Sequence, residues 1–324
     1  MLSQEVLKNY RTAGRITSEV CAFVADRARN GDVTAAELCA AGDQRAFELL
    51  KREGKRGGIA HPVSLGVNEI VCNFAPLLTD ADTGLIRLKE GDLAKVQIGL
   101  HVEGFGVVLG ETIAVSERAK QTTSDQADLI LAAHQLADLA LKVVRPGITN
   151  RQVATILQRF LRVEFNGRFE GVVGLAAHSH AEGDIQGPKT INLFPTPEQA
   201  TDAAETCVLE EGEVYAVEVW VTDAKDGNPI ASKTLPTTLY NDARRPWPTG
   251  DVDLERVQKV IQEKARTFPC TIPQQGARVS QSVVTFAITV NGTERLSPSF
   301  PPSGFVDTLQ PGAAISEEVL SKYC

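Results

Sequence analysis

The sequence predicts an α+β fold made by duplication, with two helix-helix-strand halves packed about a pseudo-twofold axis. Three observations predict it. Glu211-Gly212-Glu213-Val214-Tyr215-Ala216-Val217-Glu218-Val219 repeats the pattern of Glu90-Gly91-Asp92-Leu93-Ala94-Lys95-Val96-Gln97-Ile98. A pair of amphipathic stretches at helical spacing precedes each copy. In each pair a threonine, Thr34 or Thr149, stands where it can cap the second helix. Two copies are too few for a solenoid, so the halves are expected to face each other. The second copy carries a carboxylate, Glu218, where the first carries an amide, Gln97, and that pair of positions falls near the shared axis.

The elements follow in order. Residues 3–29 place Val6, Ile16, Val20, Phe23 and Val24 at helical intervals, and Gly31 stops the helix. A second helix runs from about 35 to 52. Lys51-Arg52-Glu53-Gly54-Lys55-Arg56-Gly57-Gly58 reads as a basic, glycine-rich connector at the surface. Strands are expected over Leu93–Val102 and Gly106–Val115. The second half begins with a helix over 125–144, with Leu129, Ala132, Ala133, Leu136 and Leu139 on one side. Pro146-Gly147 ends it, a helix follows over 150–163, and a strand spans Val214–Val221. Residues 222–278, rich in proline and polar residues, read as an insertion carrying one helix at about 252–267, capped by Asp251. A hairpin closes the fold, from Val283–Val290 through Asn291-Gly292 into the residues after Thr293, and Pro298, Pro301 and Pro302 end it.

Composition narrows the function classes. The chain has 324 residues, 43% hydrophobic and 23% charged, ordinary for a globular protein. We read residues 1–324 as a single domain with 222–278 inserted. A net charge of −8 argues against a globally basic nucleic-acid clamp but leaves room for a local patch. Six scattered cysteines form no CxxC or zinc-finger spacing, which points to reduced thiols in a cytosolic or nuclear protein. The N-terminal stretch has no apolar h-region, and no run approaches the length of a membrane helix, so neither signal peptide nor membrane partner is expected. Ser-His-Asp order, P-loop, dinucleotide fingerprint and HExxH are all missing from the sequence. Trp220, Trp247, Phe268 and Phe286 do not alternate with basic residues. Arg244-Arg245-Pro246-Trp247 is a small basic-aromatic cluster, read first as a surface turn and second as an RNA-stacking element.

Several motifs together resemble the pita-bread fold of methionine aminopeptidases and creatinases. They are Leu7–Gly14, Gly58–Asn68, Leu88–Phe105, Gly187–Ile191 and Gly212–Glu218, spread over nearly the whole chain. The pattern is most similar to the proliferation-associated, Erb-B-receptor-binding protein family, the non-peptidase relatives of type 2 methionine aminopeptidase. The resemblance implies a duplicated fold around a curved antiparallel sheet. It also implies where a pair of metal ions would sit in the peptidases, which hold them with two Asp, one His and two Glu. Carried over, those ligands fall on Gln97, Val108, His178, Glu218 and Val283, with His180 two residues beyond His178, and a catalytic His falls on Asn73.

Two valines offer no lone pair and Gln97 offers one neutral carbonyl oxygen. An imidazole and a carboxylate fall short of the three protein ligands usual even for a single catalytic zinc. We therefore expect a catalytically inactive aminopeptidase-fold protein without cofactor or tight metal, in which Glu218 has a raised pKa or a donor partner such as Gln97. The resemblance implies an RNA- or ribosome-associated factor linked to large-subunit maturation, translation or growth control, in the cytoplasm and the nucleus or nucleolus. Its candidate contacts are Lys51, Arg52, Lys55, Arg56, Lys189, Arg244, Arg245 and Lys259. The chain departs from that family in a shorter insert and in ending Ser316-Glu317-Glu318-Val319-Leu320-Ser321-Lys322-Tyr323-Cys324 rather than in a lysine-rich tail. The competing readings are a residual metal-dependent methionine aminopeptidase and a cleft that grips a peptide terminus without chemistry.

Overall fold

Local signals set the helices of the first half. The computed structural model describes residues 2–29, 33–80, 86–115, 124–202, 206–241, 266–298, 315 and 317–323. Helix α1 (Gln4–Arg29) buries Tyr10, Ala13, Ile16, Val20 and Val24 along one stripe. Helix α2 (Ala35–Glu53) starts at Thr34, whose hydroxyl accepts the Glu37 N–H at 3.2 Å while the Glu37 carboxylate accepts the Thr34 N–H at 2.8 Å. This reciprocal cap satisfies two amides that the first turn leaves without partners. Gly54, at φ 67°, closes the helix in a left-handed conformation that costs glycine little.

The basic connector expected over 51–58 is therefore much shorter. Lys51 and Arg52 belong to the last turn of α2, where cations favour the helix C-terminus, and β1 (Gly57–Val67) has begun by Gly57. That strand escapes sequence reading because Pro62 and two irregularities, at Ile59/His61 and His61/Ser64, break its alternation.

After β1 come β2 (Ile70–Cys72), β3 (Leu93–Val102) and β4 (Phe105–Ala114), the last one residue earlier than expected. The second half repeats the plan with α3 (Ser124–Val143) and α4 (Asn150–Glu164). It continues with β5 (Glu170–Gly171), β6 (Ala176–His180), β7 (Thr190–Asn192), α5 (Pro197–Thr201) and β8 (Val214–Thr222). Within 222–278 lie β9 (Ile230–Ala231), β10 (Leu239–Tyr240), β11 (Arg266–Thr267) and β12 (Cys270–Thr271). The helix expected at 252–267, with its cap Asp251, lies outside the described residues up to 265. Its last two positions, Arg266 and Thr267, instead pair as a strand with Tyr240 and Leu239, so that end of the expectation is corrected. Arg244, Arg245, Trp247 and Lys259 also lie outside the described residues. The chain ends with β13 (Val279–Thr289), β14 (Gly292–Arg295) and α6 (Glu317–Leu320).

The main sheet runs β1-β3-β4-β13-β8-β6-β7, with β14 on β13 and β5 on β8, and every neighbouring pair is antiparallel. Its order makes two triplets, β1-β3-β4 and β13-β8-β6, with β3 and β8 each in the middle. The duplication extends to single hydrogen bonds. Thr34 bridges Arg87, and Thr149 bridges Val208. Gly91 (φ 87°) donates its N–H to Val115 at 2.8 Å, and Gly212 (φ 89°) donates to Ile288 at 2.9 Å. Helices α1 and α2 cover the first triplet over a core that includes Tyr10, Ile16, Leu38, Leu65 and Ile98. Helices α3 and α4 cover the second over Leu136, Leu157, Phe160, Val217 and Phe286.

The triplets meet at β4 and β13, where the register holds Ser282 opposite Glu111 and Val283 opposite Gly110. Threonine hydroxyls extend this seam. Thr285 Oγ1 accepts the Val108 N–H at 3.0 Å and donates to the Val108 carbonyl at 2.7 Å. Thr112 Oγ1 does the same for the Gln281 backbone, at 2.6 and 2.9 Å.

Candidate functional site

The middle strands of the two triplets aim Gln97 and Glu218 into one cleft of 510 Å³. Val108 on β4, His178 on β6 and Asn73 after β2 line it as well. Five of the six expected cleft positions thus come together. The sixth, Val283, stands in the same cross-strand row, opposite Glu218 and Gly110, but is fully buried and packed with Val108, Ala216 and Ile185. Two positions that would carry metal-binding acids in the peptidases are thereby fused into an apolar plug in the cleft floor.

The Gln97 oxygen beside the plug already has a partner. Gln281 Nε2 donates to Gln97 Oε1 at 2.5 Å, which occupies the oxygen a cation would need. The Gln97 amide also favours an ionised Glu218 as a donor. Burial dominates at Glu218, however, and raises its pKa to about 7; the Trp220 indole and Gln97 only partly offset that rise. Solvent touches the Glu218 side chain through the cleft although protein surrounds it. The indole N–H approaches it without completing a hydrogen bond, and Trp220 Nε1 has no partner among the described residues.

Two cleft histidines are oriented by backbone carbonyls. His178 Nδ1 lies 3.2 Å from the Gly187 carbonyl, and His61 Nδ1 lies 2.7 Å from the Pro62 carbonyl. A carbonyl only accepts, so each Nδ1 carries a proton and donates it. Burial lowers the His61 pKa, which keeps it neutral. His180 is not an alternative to His178: it is buried opposite Val214, its Nδ1 donates to Gly106 at 3.0 Å, and burial lowers its pKa to about 4.

Sequence reading missed several lining residues: His61, Cys72, Asp184, Tyr240, Asn241 and Thr267. The last three come from the excursion after β8, which thus forms one wall of the cleft. Asn241 reaches Gln186 at 2.6 Å across the mouth. Asn73 adopts φ 61° and donates its side-chain amide to the Phe268 carbonyl at 3.3 Å, tying β2 to the same wall.

As a test of fit, a pair of divalent cations needs several anionic oxygens converging within the cleft. Gln97, Val108, His178, Glu218 and Val283 supply one carboxylate and one imidazole nitrogen. Among the described residues, no three His, Cys, Asp or Glu side chains group so as to hold a metal ion. The residues present do not fit a dinuclear centre.

The candidate partner contacts separate into two kinds. Lys55 donates to Asn9 Oδ1 at 2.7 Å, Arg56 pairs with Glu103 at 2.9 Å, and Lys189 bridges Glu210 and Glu213 at 2.6 and 2.5 Å. Lys51 and Arg52 are exposed and make no ion pair among the described residues. They adjoin the exposed face of α1, because Arg15 pairs with Glu53 at the end of α2. That face carries Lys8, Arg11 and Arg15, although Arg11 also meets Glu294 and Arg15 meets Glu19.

Comparison with known proteins agrees with this geometry. Residues 8–284 match the model of metallopeptidase family M24. The chain is 27% identical to the curved DNA-binding protein of Schizosaccharomyces pombe over 93% of its own length and 86% of that protein. It is 30% identical to ERBB-3 binding protein 1 of Solanum tuberosum over 75% of its length and 61% of that protein. Among solved structures, a thermophilic Arx1 superposes with a TM-score of 0.77 at 19% identity, covering 100% of this chain and 98% of the other. No helix among the described residues is long and apolar enough to cross a membrane. The chain belongs to metallopeptidase family M24 and has its pita-bread fold.

Proposed function

We propose that this M24-family chain is a catalytically silent binding protein that associates with the large ribosomal subunit or other structured RNA. The observation that carries the loss of catalysis is the plug of Val108 and Val283, with the Gln97 oxygen already taken by Gln281. Without converging anionic oxygens no paired cations can activate water, and the family's hydrolysis has no nucleophile. Support for a nucleic-acid partner comes from the family resemblance in the sequence and from the name of the fission-yeast relative. ERBB-3 binding protein 1 is named for a protein partner, so protein contacts belong to the same reading. The reading places the chain in the cytoplasm and the nucleus or nucleolus.

The contact surface follows from which cations are uncommitted. Lys51 and Arg52, with Lys8 of α1 beside them, form a basic face able to meet phosphates, while Arg11 and Arg15 on that face are already paired with Glu294 and with Glu19 and Glu53. Lys55, Arg56 and Lys189 are engaged within the fold and contribute less. The test is a salt-titrated co-sedimentation of the full chain with large subunits, scored against free RNA. Lys51→Glu with Arg52→Glu weakens binding several-fold and flattens its salt dependence by about one to two counterions. Unchanged affinity at physiological salt would remove this face. Stoichiometric binding of cobalt, manganese or zinc together with release of methionine from a methionyl peptide would overturn the silent reading and restore the aminopeptidase.

A further inference from the structure

Cys72 ends β2, and Cys270 begins β12. Antiparallel pairing places them directly opposite each other, and β12 pairs with β9 on its other side. Directly opposed residues in such a ladder have Cα atoms about 4.5–5.5 Å apart, within the range a disulfide spans. The ladder is irregular next to the pair, where Thr271 meets Ile70, and such irregularity lets the strands adjust. Both cysteines are free thiols and partly accessible. Cys72 lines the cleft beside Asn73. We propose that Cys72 and Cys270 form a redox-active dithiol at the rim of the cleft, a modification site that takes a hydroperoxide and closes to a disulfide.

The surroundings assign the two roles. The neighbouring Cys72 thiol draws the Cys270 pKa down to about 7, against the effect of burial, and Cys270 Sγ also lies 3.7 Å from the Phe268 carbonyl. The same contact, burial and the charge of Glu218 push Cys72 up, with Lys95 opposing them. Cys270 is the more exposed of the pair and provides the thiolate; Cys72 stays protonated. The Cys270 thiolate attacks the peroxide, the O–O bond breaks, and the leaving oxygen takes a proton to become an alcohol or water. The resulting Cys270 sulfenic acid is then attacked by Cys72, which loses its proton as the S–S bond forms and water leaves. In sum, two thiols and one hydroperoxide give a disulfide, an alcohol or water, and a further water.

The bond would join the strand leading to Asn73 to the segment that supplies Tyr240, Asn241 and Thr267. It would fix one wall of the cleft to the other whatever the partner of the protein. Neither the M24 fold nor the loss of metal ligands requires such a pair.

The experiment treats the full chain with graded hydrogen peroxide, alkylates the remaining thiols and maps them by mass spectrometry. The expected result is one cross-linked peptide containing Cys72 and Cys270, two alkylatable thiols lost per chain, and full recovery with dithiothreitol. The melting temperature of the oxidised chain rises by a few degrees. Cys207, whose neighbours are Lys189 and Glu213 rather than a second thiol, is the internal comparison. In Cys72→Ser the Cys270 sulfenic acid persists and is trapped by dimedone. In Cys270→Ser, Cys72 keeps its thiol. The proposal is overturned if Cys270 oxidises beyond the sulfenic acid without capturing Cys72. It is equally overturned if both remain reduced at peroxide concentrations that oxidise Cys207.

Discussion

The two halves share a scaffold down to single hydrogen bonds, yet their facing positions have gone different ways. In the first half, Gln97 sits in a neutral chain of amides with Gln281. In the second, Glu218 keeps its acid, held near neutrality by burial. The first half also has its own displaced carboxyl, Glu111 on β4, which burial pushes up to about 8 and whose Oε1 has no partner among the described residues. The difference teaches that duplication preserves what the backbone needs, namely capping threonines and left-handed glycines, while side chains pointing into the cleft are free to diverge.

The severest way to break the comparison is Val283→Glu, which puts a ligand-type acid back at the fully buried position. The plug offers no partner, so folding stability falls by about 4 kcal/mol or more, read by urea denaturation. A stable variant that binds metal would mean the cleft retains the family's geometry beneath the valines.

Next is the seam. Thr285→Val removes both hydrogen bonds to the Val108 backbone and leaves a buried N–H and C=O bare, at a cost of roughly 2–4 kcal/mol in the same assay.

The two abnormal carboxyls sharpen the comparison through pH. Their folded pKa values exceed the usual value of 4.5. Between 4.5 and the folded value the folded chain holds protons that the unfolded chain has released, so stability falls as pH rises. The decline runs from about pH 4.5 to 7 for Glu218 and to 8 for Glu111. Glu111→Gln removes the larger part, stabilising by about 2–3 kcal/mol at pH 8 with little change at pH 4. Glu218→Gln does the same on the order of 1 kcal/mol, because the cleft admits solvent to it. Equal melting temperatures for wild type and both variants across pH 4–8 would reject the burial argument.

Much of this was legible in sequence, for physical reasons that also explain the remainder. The repeated Glu-Gly-acid turn exposed the duplication, since the left-handed backbone of Gly91 and Gly212, at φ 87° and 89°, favours glycine. Thr34 and Thr149 marked helix starts because their caps are local chemistry. Five cleft positions were placed by resemblance to a family whose motifs this chain retains. Strand β1 was not legible: Pro62 and its bulges hide any period of two. Lys51 and Arg52 were read both as the end of a helix running to about 52 and as the start of a basic loop, because charge blurred that boundary, although Leu49, Leu50 and Gly54 carried the signal for a helix running to its glycine cap. His61 and the Cys72–Cys270 pair depend on strand pairings distant in sequence, which no local pattern encodes.

The Thr285 hydroxyl has one last consequence. It gives Val108 the partner for its amide proton at the junction of the triplets, so that proton is shielded by a single side chain rather than by a run of backbone. Deuterium uptake at this one amide would therefore report how often the halves part, separately from whole-chain melting, and would show whether an occupied cleft clamps them together.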